Sequence, residues 1–285
     1  MTRASPLLVL LVLVSLCPLA LAQRPSKEFS DALNDGIRLV NAKKYTEAQA
    51  PLETALRLAA NDEQRQRVYQ PLVPVYRQLP EVDKFLETQE FIIRNADRKT
   101  GRSLPARDVA SFLFQRGKLD AGIQRYEAAL KANPKDPAAL GVLTVIYSRH
   151  KEDKVRSAAL TARQDALDAE LATVLAARLE KDAEAAPRTA ASLLKDAATA
   201  WLEAGDKAKA LAAAKKSLTQ PPEQRGDLLV FYWRDGLGDV FLATGEPALA
   251  AEQFQAAIAA AGNLAGQRQV TEKKLAEAKA AEKKP

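Results

Sequence analysis

The segment LGDVFLATGEPALAAEQFQAA, residues Leu237–Ala257, decides the fold. Two helix-length halves flank Gly245, and Pro247 lies just inside the second half. Gly238, Phe241, Ala250, Phe254 and Ala257 place small and large residues at fixed offsets along both halves. Such spacing suits two helices crossing closely, because a small residue at a crossing lets the backbones approach.

Composition points the same way. The chain has 285 residues, a length for one or two domains. Its apolar share is mostly alanine and leucine, both strong helix formers, and aromatics make up only 6%. All-α is therefore the expected class. The formal net charge is +6, with 42 basic and 36 acidic residues interleaved along the chain. Nucleic-acid binders concentrate basic residues on one face or arm, and no such block is present, so no nucleic-acid partner is expected.

Fainter copies of the deciding segment precede it. Gly36, Tyr45, Ala48, Leu52 and Ala55 mark one unit over 29–62, with a turn at Lys43-Lys44. Ala110, Leu113, Gly117, Gly122, Tyr126, Ala129 and Pro134 mark a second over 103–136. Asp136-Pro137 reads as an N-cap followed by proline at the first helical position. Ala198, Trp201, Gly205, Ala210 and Pro222 mark a third over 191–224, and the deciding segment lies in 231–264.

Two stretches, 63–102 and 137–190, are degenerate. In the first, Pro71 and Pro74 sit among helically spaced Val68, Leu72, Val75 and Tyr76, so a helix either starts at Pro71 or is kinked. Phe85 takes a position that elsewhere holds a small residue. The polar stretch 95–104 reads as a loop. Val142 to Ala186 lacks glycine and proline; one long helix or two both fit, and a divergent pair is favoured. Residues 265–285 form an amphipathic capping helix, with Val270 and Leu275 on its apolar side, and a frayed tail.

The amino terminus reads as a secretory signal over 1–22. Arg3 precedes the apolar run Leu7–Leu16, Ala20-Leu21-Ala22 follows, and cleavage is expected after Ala22. An uncleaved membrane anchor is the alternative, although Pro18 ends the run short of the ~20 residues that span a bilayer. A lipoprotein use of Cys17 would want a smaller residue than Leu16 before it. Residues 23–28 are a linker. Cys17 is the only cysteine, so the exported chain would depend on packing rather than disulfides. No glycosylation sequon occurs. The expected location is the periplasm of a Gram-negative bacterium.

The repeating units resemble the tetratricopeptide repeat (TPR), a 34-residue helix–turn–helix module. The resemblance covers most of 29–264. It implies an all-α, TPR-like α-solenoid: a right-handed superhelix of antiparallel helix pairs whose first helices line a concave groove that binds a peptide or protein segment. One groove variant of the family clamps a carboxylate with Lys and Asn. Leu33 and Ile37 in the unit over 29–62, and Arg107 and Ser111 in the unit over 103–136, do not supply that pair. By position, the groove candidates are Asn34, Arg107, Ser111, Lys195, Thr199, Tyr232, Asp235 and Asp239. Tyr232 is the most attractive contact, because aromatics concentrate interface energy. Trp201 and Trp233 are expected in the core.

No catalytic, cofactor-binding or metal-binding group is expected. His150 is the single histidine, so a histidine-pair zinc site cannot form. It lies in a polar run near Ser148, Asp153 and Ser157 and reads as an exposed loop residue. Glu180, Asp182 and Glu184 read as a solvated helix face, and there is no glycine-rich phosphate loop after a strand. The expected function is a non-enzymatic scaffold for a protein or peptide partner. A carrier of a glycan or peptide in the same groove is the alternative, and it would need aromatic platforms of which only Tyr232 qualifies. Oligomeric state is left open.

Overall fold

The computed structural model describes residues 25–220 and 226–283. The expected export signal and its expected cleavage point, and Pro222, lie outside the described residues. Every described element is an α-helix, and there are thirteen of them. The chain divides into two compact units, with the boundary between Val82 and Asp83.

The first unit holds α1 (Lys27–Asn41), α2 (Tyr45–Leu58) and α3 (Asp62–Gln78). Ser26 caps α1, its hydroxyl accepting the Phe29 N–H at 3.1 Å. Helices α1 and α2 cross at Gly36, where an added Cβ would overlap the fully buried Leu52 side chain. Their turn places Lys43 in the left-handed region at φ 59°, a conformation that the later turn at Gly245 adopts without a side chain to strain (φ 85°). Helix α3 does not start at Pro71. It begins at Asp62, capped by the Asn61 side chain, and runs through both prolines. Each proline removes one ladder bond, and the fully buried stripe of Val68, Leu72 and Val75 offsets that cost.

The second unit begins with α4 (Val82–Arg94), α5 (Lys99–Gln115), α6 (Leu119–Ala132), α7 (Pro137–Arg149) and α8 (Lys154–Ala185). It continues with α9 (Ala190–Glu203), α10 (Lys207–Thr219), α11 (Asp227–Thr244), α12 (Pro247–Ala260) and α13 (Ala265–Glu282). Neighbours pack as TPR-like pairs: α7 with α8, α9 with α10 and α11 with α12. The small residues sit where the helices cross. A Cβ on Gly122 would come 2.5 Å from Leu113 Cδ1, and one on Gly238 would overlap the Phe254 ring. Phe85, large where a small residue was expected, is fully buried with its ring 4.1 Å from that of Phe112. The predicted cap at Asp136 is present, accepting the Ala139 N–H at 2.8 Å.

Three expectations are corrected. The loop over 95–104 is shorter, because α5 starts at Lys99 and takes in Gly101 to Leu104. The pair favoured after residue 150 is one helix of 32 residues, α8, since nothing between its Asp153 cap and Ala186 interrupts the backbone ladder. Val270 of α13 faces solvent; Thr271 and Ala278 are buried instead, and Leu275 is half-buried against the core. The packing side is thus the i, i+3, i+7 row of Thr271, Lys274 and Ala278.

Helices α8 to α13 share one core. Trp201, Trp233, Leu237, Phe241 and Phe254 pack there among alanines such as Ala198, Ala210 and Ala250. A buried polar relay registers three of the helices. Trp233 Nε1 donates to Ser217 Oγ at 2.9 Å, and Ser217 donates to the Ala191 carbonyl at 2.6 Å. This fixes the facing of Trp233, which lies in the core as expected.

Tyr76 and Tyr126, one in each unit, bury their phenols. Burial first, and then the neighbouring carboxylates Glu53 and Glu90, push both pKa values well above the ordinary tyrosine value. Neither contributes pH dependence below about pH 10. Above it the unfolded tyrosines ionise while the native ones hold their protons. Stability should then fall by about 1.4 kcal/mol per pH unit per tyrosine. Urea titrations at rising alkaline pH check this, with Tyr76→Phe and Tyr126→Phe each expected to flatten the decline for its unit. Slopes identical to those of the parent chain would exclude the effect.

Candidate functional site

The odd-numbered helices of the second unit carry most of the groove candidates. Arg107 and Ser111 lie on α5, exposed and half-buried respectively, and neither side chain is hydrogen-bonded to the described residues. Lys195 and Thr199 lie on α9 and are engaged. The Lys195 ammonium pairs with Asp196 at 2.6 Å, and its aliphatic stem lies over Gly236 of α11. Thr199 donates to the Lys195 carbonyl at 3.1 Å. Asn34 lies exposed on α1 of the first unit.

Tyr232, Asp235 and Asp239 share α11 but differ in their surroundings. Tyr232 is 47% exposed and meets Phe231 edge-on, with ring centroids 5.1 Å apart. Leu228 and Leu229, one helical turn before it, are also exposed, so the start of α11 presents an apolar patch. Asp235 and Asp239 turn to α13. Lys274 reaches them at 2.9 and 2.7 Å, and Thr271 donates to Asp235 at 2.8 Å. Burial pulls the Lys274 pKa down, but its bonds to Asp239 and Asp235 more than reverse this, so it titrates above the ordinary lysine value. The two carboxylates therefore hold the last helix in place. A ligand would have to displace Lys274 to use them.

A second ionic framework was not legible beforehand. Arg98, in the turn before α5, reaches Asp196 and Glu203 of α9 at 3.6 and 3.4 Å. Four residues on, Arg102 donates through Nε and Nη2 to Asp168 Oδ1 of α8, at 3.1 and 2.8 Å, and both side chains are buried. Its remaining Nη1 donates to the Ala96 carbonyl at 2.6 Å. Lys99 adds a bond to Asp165 at 2.7 Å, and Asp97 meets Arg178 at 3.1 Å. The turn between α4 and α5 is thereby laid along α8 and onto α9. In a simple solenoid each repeat touches only its neighbours; here one turn reaches across two helix pairs. The one sequence signal was Asp168 itself, which shares the buried side of α8 with Leu160, Leu167 and Leu175.

His150 is half-buried rather than exposed. It follows α7 directly, and its ring stacks on Phe114 at 4.7 Å between centroids. Of its neighbours in sequence, Ser148 bonds to the Val145 carbonyl and Asp153 caps α8. Glu180 accepts the Trp201 indole N–H at 3.0 Å, while Asp182 and Glu184 are exposed. Among the described residues no group of three or more His, Cys, Asp or Glu could hold a metal ion, and no helix is long and apolar enough to cross a membrane.

No protein-family model and no curated protein matches the chain. Among solved structures it is similar to a tetratricopeptide repeat protein from Parabacteroides merdae, at 16% identity and a TM-score of 0.31, over 89% of this chain and 99% of that one. The all-helical, paired architecture rests on the packing described above.

Proposed function

We propose that the chain is a non-enzymatic scaffold of the bacterial cell envelope that binds a peptide or protein segment on the odd-numbered helices of its second unit. A TPR-like arrangement of helix pairs generally serves protein–protein interaction. The observation that carries the reading is the apolar patch of Leu228, Leu229 and Tyr232 at the start of α11. Three large apolar side chains within five residues, each about half exposed, form a clustered apolar surface rather than a scattered one. Export through a signal cleaved after Ala22 is part of the proposal, supported by the Leu7–Leu16 run and Ala20-Leu21-Ala22.

A photo-crosslinking side chain placed at Tyr232 of the exported protein tests both parts. A discrete adduct should form in envelope preparations, be absent when the crosslinker replaces exposed Lys273 of α13, and weaken at least about tenfold in Leu228→Asp. The captured chain should have a mass beginning at Gln23. Equal adducts from both positions would remove the patch as a binding site, and a chain retaining Met1 would remove the cleavage.

A further inference from the structure

A cleft away from the Tyr232 patch opens between α6 and α8 of the second unit, with α7 at its base. Helices α6 and α8 both pack on α7 but barely touch one another. The gap between them is a cleft of about 390 Å³, within the ~300–1,000 Å³ range of ligand pockets. Its floor is apolar: Leu143 and Leu160 are buried, and Leu130 is half-buried. Its rim is cationic, formed by exposed Lys131, Arg156 and Arg163.

The rim charges are unequally committed. Glu127 is the only carboxylate in the lining, and it accepts the Tyr147 hydroxyl at 2.8 Å. Arg156 donates to that hydroxyl at 2.9 Å and lies 3.5 Å from Asp153. Arg163 bonds only to the Pro134 carbonyl, at 2.9 Å, and Lys131 has no carboxylate partner among the described residues. Three cations and one carboxylate leave the lining a net charge of +2. Two cations without acid partners, on opposite walls of an apolar floor, match a ligand with negative charges on either side of one apolar group.

We propose that this cleft binds an acidic protein segment that inserts a single apolar side chain. Its charges meet Lys131 on α6 and Arg163 on α8, and its apolar side chain rests on the leucine floor. A fatty acid carries a single carboxylate and could meet only one of the two cations without acid partners, so it is the weaker fit. The site does not depend on the patch at Tyr232, and either can fail without the other.

The test uses a fluorescein-labelled hexapeptide, Asp-Glu-Phe-Leu-Glu-Asp, and fluorescence polarisation on the exported chain. Saturable binding is expected, weakening at least about tenfold in Lys131→Glu/Arg163→Glu. Ala159→Trp, which fills the cleft from an exposed helical position and keeps every charge, should weaken it similarly. Circular dichroism confirms that both variants are folded. No saturation, unchanged affinity in either variant, or equal binding of a peptide with Ser for Phe and Leu would overturn the proposal. So would displacement of the peptide by dodecanoate at far lower concentration than by unlabelled peptide, which would make the cleft a lipid site.

Discussion

Asp168→Ala should destabilise the second unit by about 3–5 kcal/mol, the cost of leaving one member of a buried ion pair without its partner. The Arg102 side chain is only 3% exposed, and two of its three hydrogen bonds end on Asp168 Oδ1. The Ala96 carbonyl remains to it but carries no compensating charge, and Lys99, a further cation, loses its 3.8 Å contact with Asp168. Urea denaturation followed by circular dichroism should show a lower midpoint with little change in slope. The double variant Arg102→Met/Asp168→Leu should recover most of the loss, because removing both charges also removes their desolvation cost. A loss below about 1 kcal/mol in Asp168→Ala would mean that water or another group reaches Arg102, contrary to the burial seen.

The second large effect is expected at Gly238. A Cβ there meets Phe254 Cδ1 at 2.5 Å and Cζ at 2.8 Å, and Phe254 has no exposed surface toward which to move. Replacing glycine by alanine inside a helix ordinarily gains up to about 1 kcal/mol. Overpacking a tight core costs about 1–3 kcal/mol, so Gly238→Ala should be net destabilising and Gly238→Val more so, by about 3 kcal/mol. Gly266 of α13 has no heavy atom near its would-be Cβ, so Gly266→Ala should be neutral or stabilising. Phe254→Ala alone should cost about 3–5 kcal/mol. Combined with Gly238→Val it should cost less than the sum, because the room it opens admits the valine. Additive losses in a thermal-melt cycle would show that the two residues do not share one space.

Both predictions concern packing, yet they were legible to different degrees. The Gly238–Phe254 crossing is written in the chain, since the two residues sit at repeat positions that recur as Gly36 and Leu52. The Arg102–Asp168 pair joins residues 66 apart and follows no period. The same division runs through the groove candidates. Repeat position placed Lys195 on α9 and Asp235 and Asp239 on α11, but not their partners. Asp196 and the stem-to-Gly236 contact occupy Lys195, and Lys274 occupies the two carboxylates.

The sequence by itself determined the class of fold and, in the clearer repeats, the crossing points of the helices and the turns between them. Those features arise from residues within about one repeat of each other, where helical period, small side chains and caps act locally. Only the tertiary structure decided that α8 runs unbroken beside α9, that the α4–α5 turn reaches it, and that α6 and α8 part to leave a cationic cleft. These depend on the summed angles of several successive crossings, to which each residue contributes little and no single motif corresponds.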